Sequence, residues 1–280
     1  MGKTCPVLVL AVVGVVLLAA FYGRDKGAEA ADDQGSAAAA AVADEASAQP
    51  AATSNTEAAL QQASKESKHL VVLAWSDDDE TTQKLKALLA EARESLADKA
   101  LFHEVSTTDA DESSFVEQYG LAEAPLPIIL VFAPNGAVVG AHVQKVVDEK
   151  ALVASFASPK LAEVYKLLQD RKLVLLCVQS KTTKYNAESL SAAQAAAADA
   201  RANDQFRTVQ LDPADSSCSD LATRIGVSAT VEEAAIYIIV PPGTIAGEVK
   251  GATTPTAAWD AIIKALSACS GGGCGPGGCG

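Results

Sequence analysis

From residue 69 onward, short unbroken apolar runs alternate with stretches whose apolar positions recur every three or four residues. HLVVLAWS (69–76) is continuous, too short for a helix, and reads as a strand buried on both faces. Asp77-Asp78-Asp79-Glu80 then opens a helix carrying Leu85, Leu88, Leu89, Ala92 and Leu96 on one face. A strand ALFHEVS (100–106) follows, then a short helix around Phe115 to Tyr119 and the loop AEAPLP. Next come the strand IILVFA (128–133), the turn Pro134-Asn135-Gly136, the strand AVVGAHV (137–143) and a helix from about Asp148.

The second half repeats this order. Strands are expected over 172–179, 206–211, 234–240 and 244–250, with helices from about Ala187, through Leu221 to Ile225, and from about Thr256. Corresponding points lie 103 to 107 residues apart: Leu70 with Leu173, Phe102 with Phe206, Tyr119-Gly120 with Ile225-Gly226, Gly136 with Gly243. This is a direct duplication. The order β-α-β, then α-β-β-α, needs a right-handed crossover and a later hairpin. It implies an α/β fold in which each mixed sheet is covered by helices on both faces.

Residues 5–23 carry no charge, a length that reaches a membrane span and exceeds a usual signal-peptide core. Lys3 precedes the run and Arg24 and Lys26 follow it, so charge bias does not orient it. A retained anchor and a cleaved export signal (1–26) both place the folded part outside the cytoplasm, periplasmic or extracellular. Residues 27–56 are rich in Ala, Ser, Asp, Glu and Gln, without large side chains or apolar period, and read as a disordered tether. Domains are expected over 57–157 and 158–268, with a Cys/Gly tail over 269–280.

The formal net charge is −13. That excludes a nucleic-acid partner, since phosphate binding needs a basic stripe. The acidity is uneven: residues 69–157 carry 6 basic and 15 acidic side chains, and 158–268 carry 11 and 12. The two copies therefore present different surfaces.

VVLAW (71–75) at the head of a helix, YG (119–120), LPIILVF (126–132) and the hairpin APNG (133–136) resemble the thioredoxin-like family, and the second copy repeats the pattern more weakly. The resemblance implies two tandem thioredoxin-like domains. In that family the proline heading the third strand is cis and borders the site. Counting back five from Phe132 gives Pro127, with Pro125 as rival, while the same count from Val240 gives Ala235. The family's chemistry needs two cysteines, two residues apart, at the start of the first helix, where dipole and amides lower a thiol pKa. Asp79-Glu80-Thr81-Thr82 occupies that place in copy one and Lys181-Thr182-Thr183-Lys184 in copy two. Neither contains a thiol. The chain thus resembles the non-catalytic domains of protein disulfide isomerases, which implies a polypeptide partner at an edge formed by Trp75, Asp79, Leu126 and Pro127. No catalytic residue and no cofactor is expected, and self-association is the other partner class.

Asp77 to Glu80 fits an N-cap with Glu three residues on, and Asp109 to Glu112 repeats it. With Glu123 these carboxylates can also form a cation site or a patch for basic partners. His69, His103 and His142 lie scattered on strands of copy one, none with a second His or Cys at ligand spacing, so no metal site is assigned. Cys177 is placed where Trp75 stands in copy one, and Cys218 near the next short helix; they are either packed thiols or a bridged pair. In CSGGGCGPGGCG (269–280) a loop between Cys274 and Cys279 is expected around Pro276-Gly277. Cys269 is then left free to exchange or cross-link, ahead of a redox relay or a metal grip.

Overall fold

The computed structural model describes residues 54–143 and 148–270. The first unit comprises α1 (Asn55–Lys65), β1 (His69–Trp75), α2 (Glu80–Ser95), β2 (Ala100–Ser106), a 3-10 turn (Ala110–Glu112) running into α3 (Ser113–Gln118), β3 (Ile128–Phe132), β4 (Val138–Val143) and α4 (Glu149–Ala154). The second comprises α5 (Pro159–Gln169), β5 (Leu173–Val178), α6 (Asn186–Ala198), β6 (Phe206–Leu211), a 3-10 turn (Ser216–Cys218) into α7 (Ser219–Arg224), β7 (Ala235–Val240), β8 (Thr244–Lys250) and α8 (Pro255–Ser270). Every strand expected from the apolar runs is present within a residue or so of its expected ends.

The sheets are ordered β2-β1-β3-β4 and β6-β5-β7-β8, with only the first pair of each parallel. Alternation along the central strands divides the core. Leu70, Val72 and Ala74 pack towards α1 and α3 with Phe115 and Phe132, and Val71 and Leu73 towards α2 with Leu85, Leu89 and Ala92. In the second sheet Val174, Leu176 and Val178 face α5 and α7, while Leu175 and Cys177 face α6 and α8.

Pairing corrects the alignment of the copies. Leu70 opposes Phe132 and Val174 opposes Ile239, and both hairpins are irregular at the same step, Val131/Phe132 and Ile238/Ile239. Val174, not Leu173, is therefore the counterpart of Leu70, and Gln179, not Cys177, that of Trp75. A one-residue slip would turn a strand inside out, so the pairing rather than residue similarity decides.

Two helices escaped the sequence reading. α1 begins at Asn55 with Ser54 as N-cap, inside the stretch assigned to the tether. α5 is capped by Ser158, with Pro159 at its first turn. It buries Leu161, Ala162, Val164, Tyr165 and Leu168, because one flank meets its own sheet and the other meets β4 of the first unit. Fully burying one such leucine is worth about 1.5–3 kcal/mol. The Gln169 amide finishes the contact: its Nε2 donates to Val138 O at 2.7 Å and its Oε1 accepts from Val138 N at 3.0 Å. Val138 lies on an edge strand, so this side chain occupies backbone groups that would otherwise offer a pairing edge. Asn135 of the β3–β4 turn donates to Ala162 O at 2.9 Å. At Gly140 a Cβ would stand 2.7 Å from Ser155 Cβ, so glycine lets the end of α4 lie directly on β4.

Candidate functional site

The last pair between β1 and β3 is Ala74 with Ile128, which sets Trp75 and Pro127 side by side at the sheet end from which α2 departs. The Leu126–Pro127 bond is cis, as expected from the position of Pro127; the bond before Pro125 is not. Pro127 is buried, Leu126 and Trp75 are half-buried, and Asp79 is exposed on the loop four residues past Trp75. Trp75 O accepts from Thr107 N at 2.9 Å. Lys86 Nζ lies 3.8 Å from the Trp75 ring centroid and bonds Asp78 at 2.8 Å, while the buried Trp75 Nε1 has no hydrogen-bond partner.

The N-cap of α2 is Asp79, two residues later than the cap expected at Asp77. Its carboxylate accepts from Thr82 N at 2.8 Å, and this amide, first among several donors, holds its pKa below the ordinary carboxylate value. Thr82 Oγ1 donates to Asp77 O at 2.9 Å, so Asp77 supplies a carbonyl rather than a cap. Asp109 does cap the next turn, accepting from Asp111 N at 3.0 Å. Glu112, expected to complete that box, instead points inward and is 3% exposed. It accepts from Thr56 Oγ1 at 2.7 Å and Thr56 N at 3.2 Å, pinning the first turn of α1. The second unit reaches the same end with Asp220, which accepts from Ser158 N at 2.8 Å and Ser158 Oγ at 2.7 Å. Sequence spacing missed both links because they join residues 56 and 62 positions apart; the local signal for α1 was the capping box of Ser54 and Glu57.

Asp77, Asp78, Asp79, Glu80, Asp109, Asp111 and Glu123 are all exposed at or near this end. Among the described residues no three His, Cys, Asp or Glu side chains converge as a metal-ligand set. His69 stacks on Phe156 at 4.4 Å, His142 Nε2 lies 2.9 Å from Ser155 Oγ, and His103 is 3.8 Å from Glu112. The buried Nε2 atoms of His69 and His103 have no hydrogen-bond partner, and the three rings do not converge on one another.

In the second unit the helix-start position belongs to Tyr185, the N-cap of α6, so the segment matching Asp79–Thr82 is Tyr185–Glu188 rather than Lys181–Lys184. It too lacks cysteine. Ala234 precedes β7 where Pro127 precedes β3; the second cis bond, Pro241–Pro242, lies in the far hairpin.

Cys177 and Cys218 are separate thiols, not a bridge. Cys177 faces α6 and α8, while Cys218 belongs to the core on the other side of the sheet, so the sheet lies between them. Burial pushes the Cys177 thiol up to about 12. α8 continues through Ser270, so Cys269 is on the helix and not, as expected, at the start of the tail. Cys274 and Cys279 lie outside the described residues, as does the 5–23 segment. No described helix is long and apolar enough to cross a membrane.

No family model matches the chain, and no curated protein matches it. Among solved structures, the germline-specific thioredoxin Deadhead of Drosophila melanogaster aligns at 11% identity, covering 38% of this chain and 94% of its own, with a TM-score of 0.29. Thioredoxin O2 of Arabidopsis thaliana aligns at 17% identity over 40% of this chain and 90% of its own, TM-score 0.29. A structure described as a malarial protein aligns at 11% identity over 31% and 92%, TM-score 0.27. Likeness at these scores adds no weight to what strand order already gives: a parallel β1–β2 pair, an antiparallel β3–β4 hairpin beside β1, and helices on both faces. The fold of each unit is thioredoxin-like.

Proposed function

We propose that this chain is a non-catalytic binding module whose first unit takes an extended polypeptide along the edge formed by Trp75, Asp79, Leu126 and Pro127. The reading includes a membrane anchor or export signal at residues 5–23 and an extracytoplasmic location for the folded units. The observation that carries it is the occupancy of the α2 N-terminus. The amide of Thr82 at the head of that helix, where a redox thiolate would need stabilising, is spent on the Asp79 carboxylate. What remains at that end is a half-buried apolar floor, Trp75 and Leu126, beside exposed carboxylates, which suits binding and offers no nucleophile.

The two buried thiols among the described residues do not replace the missing pair. Cys177 is buried with a raised pKa, and Cys218 is buried on the opposite face. The tail leaves from the wrong end of its own unit. Lys250 pairs with Ala235, itself beside Val178, so β8 ends at the helix-start end of the sheet. α8 then turns back along β8 and α6, and its 16 residues carry the chain about 24 Å away.

The test is an insulin-reduction assay with a reductant supply, run beside equilibrium binding of an unstructured peptide. The full chain is expected to bind the peptide and show no turnover above the reductant alone. Turnover comparable to an ordinary thioredoxin sinks the proposal.

A further inference from the structure

The two units are not equivalent as binding surfaces. In the second, the segment leading into α6 forms a parallel bridge with the segment leading into β7, Lys184 with Glu233. Lys184 N donates to Glu232 O at 3.0 Å and Ala234 N donates to Lys184 O at 2.9 Å. Thr183, buried, adds a bond from its Oγ1 to Val231 O at 3.3 Å and accepts from Ser180 N at 2.9 Å. Backbone polar groups flanking β7 are thus paired within the chain, at the position where an extended ligand would pair in the first unit.

The sequence difference behind this is a single donor. Ala234 stands where Pro127 stands in the first unit, and proline has no N–H to give. The first unit therefore cannot form the Ala234-type bond, whatever its helix-start loop does. The loops differ accordingly: Asp79, before α2, is extended at φ −75°, whereas Tyr185, before α6, is left-handed at φ 65°. A bulky residue in that region is unfavourable, and here it lets the chain leave the bridge and enter the helix within one residue. Tyr185 has no side-chain cap bond, so the bridge and not a cap fixes the start of α6.

We propose that the second unit is self-sealed: residues 183–184 occupy its polypeptide edge through an internal β-bridge, so that one chain engages one polypeptide segment, at the first unit alone. The statement about ligand rests on the function proposed above; the seal itself does not. Two measurements on the full chain separate them. Amide hydrogen exchange is expected to show Lys184 and Ala234 slowed at least about 100-fold relative to an unstructured chain, as closed backbone bonds require. Exchange at the unstructured rate at both sites overturns the seal whether or not any peptide binds. A photo-cross-linkable unstructured peptide is then expected to label residues around 75–82 and 123–128 and to leave 180–186 and 230–235 unlabelled. Ala234→Pro, which removes the donor, is expected to speed Lys184 exchange and to add labelling in the second unit. Lys184→Pro, which removes the other donor, checks that result should the first variant fold poorly. Labelling of 180–186 in the native chain, with both amides protected, refutes the assignment. If neither unit is labelled, the proposed function falls and exchange still judges the seal.

Discussion

Replacing Glu112 with alanine removes the one carboxylate that ties α1 to the turn after β2. Glu112 is 3% exposed and Thr56 is fully buried, so no water is placed to substitute. The Thr56 hydroxyl at 2.7 Å and amide at 3.2 Å both lose a charged acceptor, a bond class worth about 1.5–3 kcal/mol each. Each orphaned donor then bears a desolvation cost of about 1–3 kcal/mol. Against this, truncation relieves the burial of a carboxylate, which is several kcal/mol in the opposite direction. The net expectation is a loss of about 2–4 kcal/mol, the range for breaking a buried network. Glu112→Gln keeps one acceptor facing Thr56 and is expected to lose about half as much. Urea unfolding followed by circular dichroism gives the free energy, and amide exchange in 55–65 shows whether α1 is the element released. A Glu112→Ala chain within 0.5 kcal/mol of the parent, with α1 amides unchanged, would refute the link as a structural anchor.

Gln169→Ala removes two bonds to Val138 and is expected to cost about 1–3 kcal/mol while speeding exchange of the Val138 amide, which hydrogen exchange reads directly. His69, its pKa lowered chiefly by burial, binds a proton less readily folded than unfolded. Its contribution is therefore present above the unfolded pKa of about 6.5 and is lost as pH falls from there through the folded pKa. His69→Phe, which keeps the stack on Phe156, should flatten the fall in urea midpoint between pH 7.5 and 5.5, and an unchanged slope would assign that fall to other groups. Cys177, raised to about 12 and buried, should resist iodoacetamide at pH 8 in the native chain and react fully in denaturant, as mapped by mass spectrometry.

The strands were legible because each is an apolar run that needs no partner to be recognised: IILVF and LVLLCV read as buried strands on their own. The cis Leu126–Pro127 bond was legible for the same local reason, a proline five residues before Phe132. α1 was not, because its inward face, Thr56, Ala59, Leu60 and Ala63, holds a single large apolar side chain at the end of an alanine-rich stretch, and Glu112, which fastens its first turn, is distant in sequence. α5 carries a stripe at Leu161, Val164, Tyr165 and Leu168 behind Ser158-Pro159, but only the helix from about Asp148 was expected ahead of the strand at 172. Cys177 was misplaced by two residues because the loops of the copies differ in length, and only pairing with β7 fixes the register. The seal at Lys184 depends on backbone groups some fifty residues apart, which no side-chain pattern announces.

The most direct measurement is an NMR titration of the isotopically labelled full chain with an unstructured peptide. The expected result is a set of saturable amide shifts clustered at Trp75 to Thr82 and Glu123 to Ile128, with the amides of Lys184 and Ala234 unmoved. Shifts confined to the second unit, or none at millimolar peptide, contradict it.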